Sequence, residues 1–203
     1  MMNVYVESNF ILELALKQEQ CSSCDAIMSL GEKRNIKIIL PAFSLSEPYD
    51  TVIRRSKGRE SLTKKLALEM QQLSRSEPYK NKVEVIQQIT SFLVQSIEDE
   101  QERLTTTLEK LLQVAETIPL EKTILSSSVR FQKTFGFSPQ DAIIYASVLE
   151  HLQLSDSDKN CFLNRNSRDF NDPNIVNTLE AYNCKMLFSF ERGYNYINSQ
   201  IKD

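Results

Sequence analysis

"VYVESNFILEL" (residues 4–14) holds the reading of the fold. Val4, Tyr5 and Val6 are strand formers, and Glu7 then breaks the apolar run. Ser8 and Asn9 follow, and Phe10, Ile11, Leu12 and Leu14 resume at a spacing that suits one face of a helix. A strand over 3–6 therefore ends on an acid and hands over to a helix over 9–17. Three further short apolar runs read as buried strands: "IKIIL" (36–40), stopped by Pro41, "NCFLN" (160–164) and "CKMLF" (184–188). Helical patterns fall between them: 20–34, a segment carrying Glu47, 59–76, 80–116, 122–134 and 138–152, with a last helix over 190–200. In the last internal one, Ser138 is the N-cap and Pro139 the first helical residue. Pro48 marks a kink or a restart of the segment that carries Glu47. Strands alternating with helices predict an α/β domain with a parallel sheet and right-handed crossovers.

Residues 59–76 and 80–116 predict a long helical hairpin. On its second arm Val83, Ile86, Ile89 (or Thr90), Leu93, Ile97, Leu104, Leu108 and Leu111 keep a helical stripe. Either it packs on its own domain or it offers a surface to a partner or a second copy. The acidic run "EDEQE" (98–102) reads as a solvated face.

Composition limits the classes. A 203-residue chain that is 41% hydrophobic supports one substantial core, so 1–203 reads as a single domain with a helical insertion at about 59–116. No run approaches the ~18 apolar residues of a membrane span. The N-terminus has no basic segment, and Glu7 interrupts any apolar stretch, which predicts no signal peptide and a cytoplasmic protein. Cys21 and Cys24 form one CxxC, but no second pair exists and the sole histidine is His151, so reduced, mostly buried thiols fit better than zinc. Four glycines leave no Gly-rich phosphate loop, and no Ser-His-Asp elbow is present. A net charge of −3 decides nothing about a nucleic-acid partner, because local patches govern that.

The acids fall in a pattern. In an open parallel sheet, ligands bind beyond the carboxyl ends of the strands. Glu7 follows the first strand, Glu47 the second, and Asn166 and Asp169 the third, in "FLNRNSRDF" (162–170). Asp141 lies in the first turn of a helix whose N-terminus faces the same edge. Clustered carboxylates raise one another's pKa unless neutralised, and hard divalent cations with oxygen ligands neutralise them. Each acid also has a purely structural use: Glu7 as a helix cap, Asp141 against a helix N-terminus, Glu47 on the surface, Asp169 beside the "NDP" turn (171–173). Their coincidence at strand ends is what favours a site.

These segments resemble the PIN-domain nuclease family. "VYVESNFILEL" is similar to its first motif, "IILPAFSLSEPYDTV" (38–52) to its second, "SPQDAIIYASVLEHL" (138–152) to its third and "CFLNRNSRDF" (161–170) to its fourth. The resemblance implies a three-layer α/β/α fold with a central parallel sheet, the helical hairpin being an extended insertion. It implies Mg²⁺- or Mn²⁺-dependent hydrolysis of phosphodiester bonds by an endoribonuclease, toxin or defence-like, with single-stranded DNA as a second substrate class. The alternative is a catalytically degenerate PIN-like module that binds RNA or protein. Glu7, Glu47, Asp141 and Asp169 would be catalytic and, with Asn166, would hold the metal. Ser8, Asn9 and Asn164 would orient the carboxylates by hydrogen bonds. Glu7 and Asn166 stand where the family usually has aspartate. The resemblance further implies an antitoxin or other protein partner, and the helices of 59–116 could join two copies. Phosphate contacts fall to Arg54 and Arg55 in "RRSKGR" (54–59), continued by Lys64 and Lys65, and to Arg165 and Arg168 beside Asn166. Tyr5, Tyr49 and Tyr145 read as packing residues.

Overall fold

The computed structural model describes residues 1–79 and 83–201. The expected start of the second hairpin helix, at 80–82, and the side chain of Val83 lie outside the described residues.

The elements run β1 (Met2–Tyr5), α1 (Ser8–Leu16), α2 (Cys21–Glu32), β2 (Ile36–Pro41), a 3₁₀ turn (Ala42–Leu45), α3 (Ser46–Leu73) and α4 (Val83–Val114). Then come β3 (Glu116–Ile118), α5 (Lys122–Phe135), α6 (Pro139–Leu154), β4 (Asn160–Leu163), α7 (Ser167–Phe170), α8 (Pro173–Glu180), β5 (Cys184–Leu187) and α9 (Phe190–Ile201). The five strands form one parallel sheet in the order β3-β2-β1-β4-β5. The chain lays strands outward on one side of β1, then returns to lay β4 on its other side. The loops after β1 and β4 therefore leave in opposite directions, and a crevice opens between them.

Alternate residues of the central strands feed two cores, because successive side chains point to opposite faces. Val4, Ile38, Leu40, Cys161 and Leu163 pack beneath α1, α2, α4 and α9. Tyr5, Ile39, Phe162 and Cys184 pack against α5, α6 and α8. Burial on both faces explains why these strands read as continuous apolar runs, and the result is the three-layer α/β/α fold.

Two readings need correction, and one open alternative is decided. The helix bearing Glu47 and the first hairpin helix are one 28-residue helix, α3. Pro48 falls in its first turn, where a missing N–H costs nothing. The second arm ends at Val114, and β3 follows as an unpredicted edge strand; its sequence Glu116-Thr117-Ile118 buries only Ile118. On α4, Ile97, Leu104, Leu108 and Leu111 are buried, but Ile89 is 48% exposed and the stripe passes through Thr90 instead. Gly136, at φ 69°, ends α5 in the left-handed conformation and frees the chain to start α6 at Ser138.

All four cysteines are free, three of them buried. No helix among the described residues is long and apolar enough to cross a membrane.

Candidate functional site

Glu7 stands at the crevice. It is the N-cap of α1, its Oε2 accepting the backbone N–H of Asn9 at 2.9 Å. The residue is 3% exposed, and its Oε1 is buried with no protein partner. Burial pushes its pKa up to about 7, against the pull of hydrogen bonds from Asn9, with the charges of Glu47 and Asp141 adding to the rise. Those last two contributions place three acids from three elements in one field.

Glu47 lies in the first turn of α3 and is exposed. Asp141 is the third residue of α6. Ser138 Oγ accepts the Asp141 backbone N–H at 3.1 Å and donates to Asp141 Oδ2 at 2.6 Å, a reciprocal cap. Both acids sit where the positive end of a helix favours them, so the structural uses weighed for Glu7 and Asp141 coexist with their place at the rim.

The loop after β4 supplies amides. Asn164, 2% exposed, accepts the Asn166 backbone N–H through Oδ1 at 2.6 Å. The Asn166 side chain meets the acids with its amide nitrogen: Nδ2 lies 3.3 Å from Asp141 Oδ1 and 2.8 Å from Asp169 Oδ2. Its N–H₂ thus bridges two carboxylates.

Glu7, Glu47, Asp141, Asn164 and Asn166 line a cavity of about 400 Å³, together with Asn9, Asp50 and Arg54. Asp169 is tied to it only through Asn166. Asp50 was missed in the sequence; its spacing of one helical turn from Glu47 was the available signal. Ser8 is buried, and its Oγ has no partner, so it makes no hydrogen bond to a carboxylate. Of the four arginines read as phosphate contacts, Arg54 alone lines this cavity. Arg55 and Arg168 are exposed outside it. Arg165 is ion-paired with Glu13, a buried carboxylate of α1, with Glu19 3.9 Å away. Tyr5 and Tyr145 are packing residues, but Tyr49 is 48% exposed.

The donor set is all oxygen, which suits a hard divalent cation. The buried, unpartnered Oε1 of Glu7 is the atom that most needs one. Among the described residues, no three His, Cys, Asp or Glu side chains stand in a group that could hold a metal ion. The acids share one cavity without converging on a point.

The chain is an α/β/α protein with acids gathered at the switch point of its parallel sheet. A sequence model of the PIN domain matches residues 4–170, most of the chain, which therefore belongs to the PIN-domain family. No curated protein matches the sequence. Among solved structures, the chain is similar to one from Rickettsia felis VapBC2 bound to a DNA fragment from its promoter. Identity is 10%, the match covers 92% of this chain and 98% of that one, and the TM-score is 0.46.

Proposed function

We propose that this protein hydrolyses phosphodiester bonds in RNA, as an endoribonuclease dependent on Mg²⁺ or Mn²⁺. The observation that carries the reading is Glu7: a buried carboxylate with an unpartnered oxygen, in the field of Glu47 and Asp141 at the sheet's switch point. Glu7, held by the Asn9 N–H, would anchor the cation. Glu47 and Asp141, more open to solvent, would supply further oxygen ligands, and so would Asn166 and Asp169. Such a cation, when bound, lowers the pKa of an attacking water and stabilises the leaving oxygen. Asn164 fixes the loop that carries Asn166, and Ser138 fixes the Asp141 carboxylate. Arg54, at the cavity wall, neutralises a substrate phosphate. Family membership supports an antitoxin-like protein partner that masks the site, and the α3–α4 hairpin is the surface for it or for a second copy.

A second reading has its own observation. The Asn166 amide bridges Asp141 and Asp169 and satisfies them with hydrogen bonds without a cation. That favours a non-catalytic module which holds RNA or protein at the same rim.

Cleavage separates the two. Purified protein, freed of any bound inhibitor, is incubated with single-stranded RNA, structured RNA and DNA, each with Mg²⁺ or Mn²⁺. Cleavage that disappears in Asp141→Asn, with the thermal melt retained, is the expected result. Wild type that cuts no nucleic acid with either metal overturns the hydrolytic reading.

A further inference from the structure

The outer face of α3 carries cations that nothing in the described residues neutralises. α3 starts at the acid cavity with Glu47 and Asp50 and runs outward for about 40 Å. Its inner face, through Val52, Ser56, Arg59 and Thr63, is buried or half-buried. Arg59 on that face is committed, at 2.7 Å from Glu100 and 3.3 Å from the Ser96 carbonyl, both on α4. At helical spacing the opposite face presents Arg54, Lys57, Lys64 and Lys65, all exposed. Among the described residues none of the four is in an ion pair, and only Arg54 makes a side-chain hydrogen bond, to the Thr51 hydroxyl at 3.4 Å. Glu60 and Glu69 stand at the margins of the strip, one turn from Lys64 and Lys65, and neither reaches ion-pair distance. The hairpin's other exposed acids among the described residues are Glu77, in the connection after α3, and Glu98, Glu102 and Glu109 on α4. The strip is thus a row of unpaired positive charge whose first member, Arg54, already lines the cavity.

We infer that single-stranded nucleic acid lies along this outer face of α3, its phosphates on Arg54, Lys57, Lys64 and Lys65, and enters the cavity past Arg54. The inference rests on the proposed phosphodiester hydrolysis and adds the path of the strand. A polyanion with charge repeated along a line is the partner such a row fits. A single strand, not a duplex, fits a cavity of about 400 Å³. From Glu47 to Lys65 the track is about 27 Å long. A substrate of one or two nucleotides at the cavity stops short of Lys64 and Lys65, about 15 Å beyond Arg54, whereas a longer one also engages them. Affinity therefore rises with strand length.

The test measures binding apart from cleavage. Asp141→Asn protein is titrated into a fluorescent single-stranded RNA of about 20 nucleotides at several salt concentrations, beside the same protein carrying Lys64→Glu and Lys65→Glu. The expected result is at least ~10-fold weaker binding with the lysines reversed, and a log–log salt slope shallower by ~1.4. An RNA of about two nucleotides is expected to bind both proteins alike. Thermal melts of both proteins verify folding, and the milder Lys64→Gln, Lys65→Gln pair repeats the comparison if the reversal lowers the melt. Equal binding of the long RNA by both proteins overturns the inference. So does binding of polyglutamate, in preference to RNA, through the same lysines. Lysine-dependent RNA binding by a chain whose wild type cleaves nothing sinks hydrolysis and leaves the track standing. Cleavage with both lysines dispensable does the reverse.

Discussion

Arg165 reaches from the loop after β4 to Glu13, a carboxylate that α1 buries completely, and the two form an ion pair. Glu13 Oε2 also accepts the backbone N–H of Gln20 at 2.9 Å. The Gln20 side-chain oxygen in turn accepts from the backbone N–H of Phe190 at 2.7 Å, at the start of α9. One buried acid therefore ties the loop that carries Asn166 to α1 and, through Gln20, to the C-terminal helix. This network gives Arg165 a job that sequence adjacency to Asn166 concealed.

Removing Arg165 leaves Glu13 buried and unpaired. Breaking a buried pair in this way costs ~3–5 kcal/mol, and the 37% exposure of the Arg165 side chain sets the loss near the lower end. Arg165→Met is expected to lower unfolding stability in urea by about 3 kcal/mol. Arg165→Met with Glu13→Gln is expected to recover most of that loss, because no charge is then stranded and the Gln20 N–H keeps an acceptor. Urea denaturation of the two variants measures the difference. A single variant as stable as wild type would show that the pair contributes nothing.

Glu7 makes stability depend on pH in a stated direction. Its folded pKa, about 7, lies above its ordinary 4.5, so between those values the folded state binds more protons than the unfolded one. Stability from this group is fully present below pH 4.5 and is lost as pH rises through about 7. The shift is worth on the order of 3 kcal/mol. Without divalent metal, wild type is expected to lose stability relative to Glu7→Gln between about pH 5 and pH 8. Parallel stability curves for the two proteins over that range would refute the assignment.

Ser138 caps α6 and holds Asp141 in the same stroke. Ser138→Ala is expected to cost ~1 kcal/mol of stability, the usual price of an N-cap. Ser138→Asp keeps an acceptor for the Asp141 N–H but puts a charge beside the Asp141 carboxylate. It should retain more of the cap than alanine does and yet weaken any metal-linked stabilisation less than Asp141→Asn. Thermal melts with and without Mn²⁺ separate the cap from the carboxylate.

Legibility in the sequence followed burial. β1, β2 and β4 stood out because both faces of each are covered, which forces apolar runs such as Ile38-Ile39-Leu40. β3 was invisible because it is an edge strand whose Glu116 faces Lys37 and His151 at the surface. α3 looked broken because Pro48 is a helix breaker everywhere except in the first turn, and only the 3₁₀ turn before it puts it there. Glu7 and Glu47 could be found from strand ends, and Asp141 from a helix N-terminus at the same edge, since sheet topology brings such positions together. The partner of Arg165 could not, because Glu13 is a sequence-distant residue on a helix that gives no sign of an inward-facing acid. Nor could the orientation of Asn166, which depends on which of its atoms faces Asp141 and Asp169.

That orientation carries the last prediction. Asn166 now places an N–H₂ between Asp141 Oδ1 and Asp169 Oδ2. Asn166→Asp removes the donor and adds a third carboxylate to a pair that has lost its bridge. Like charges so placed raise one another's pKa and destabilise the metal-free fold. A divalent cation reverses the sign, since an added hard oxygen ligand increases its affinity for the site. Asn166→Asp is therefore expected to melt below wild type in EDTA, and to gain more than wild type does when Mn²⁺ is added, because a ligand that binds only the folded state stabilises it. If the rim is a metal site, the gain should saturate with Mn²⁺ and vanish on adding Asp141→Asn. A variant that melts lower in EDTA and stays equally low at saturating Mn²⁺ would show that the amide bridge, and not a cation, is what this rim is built to hold.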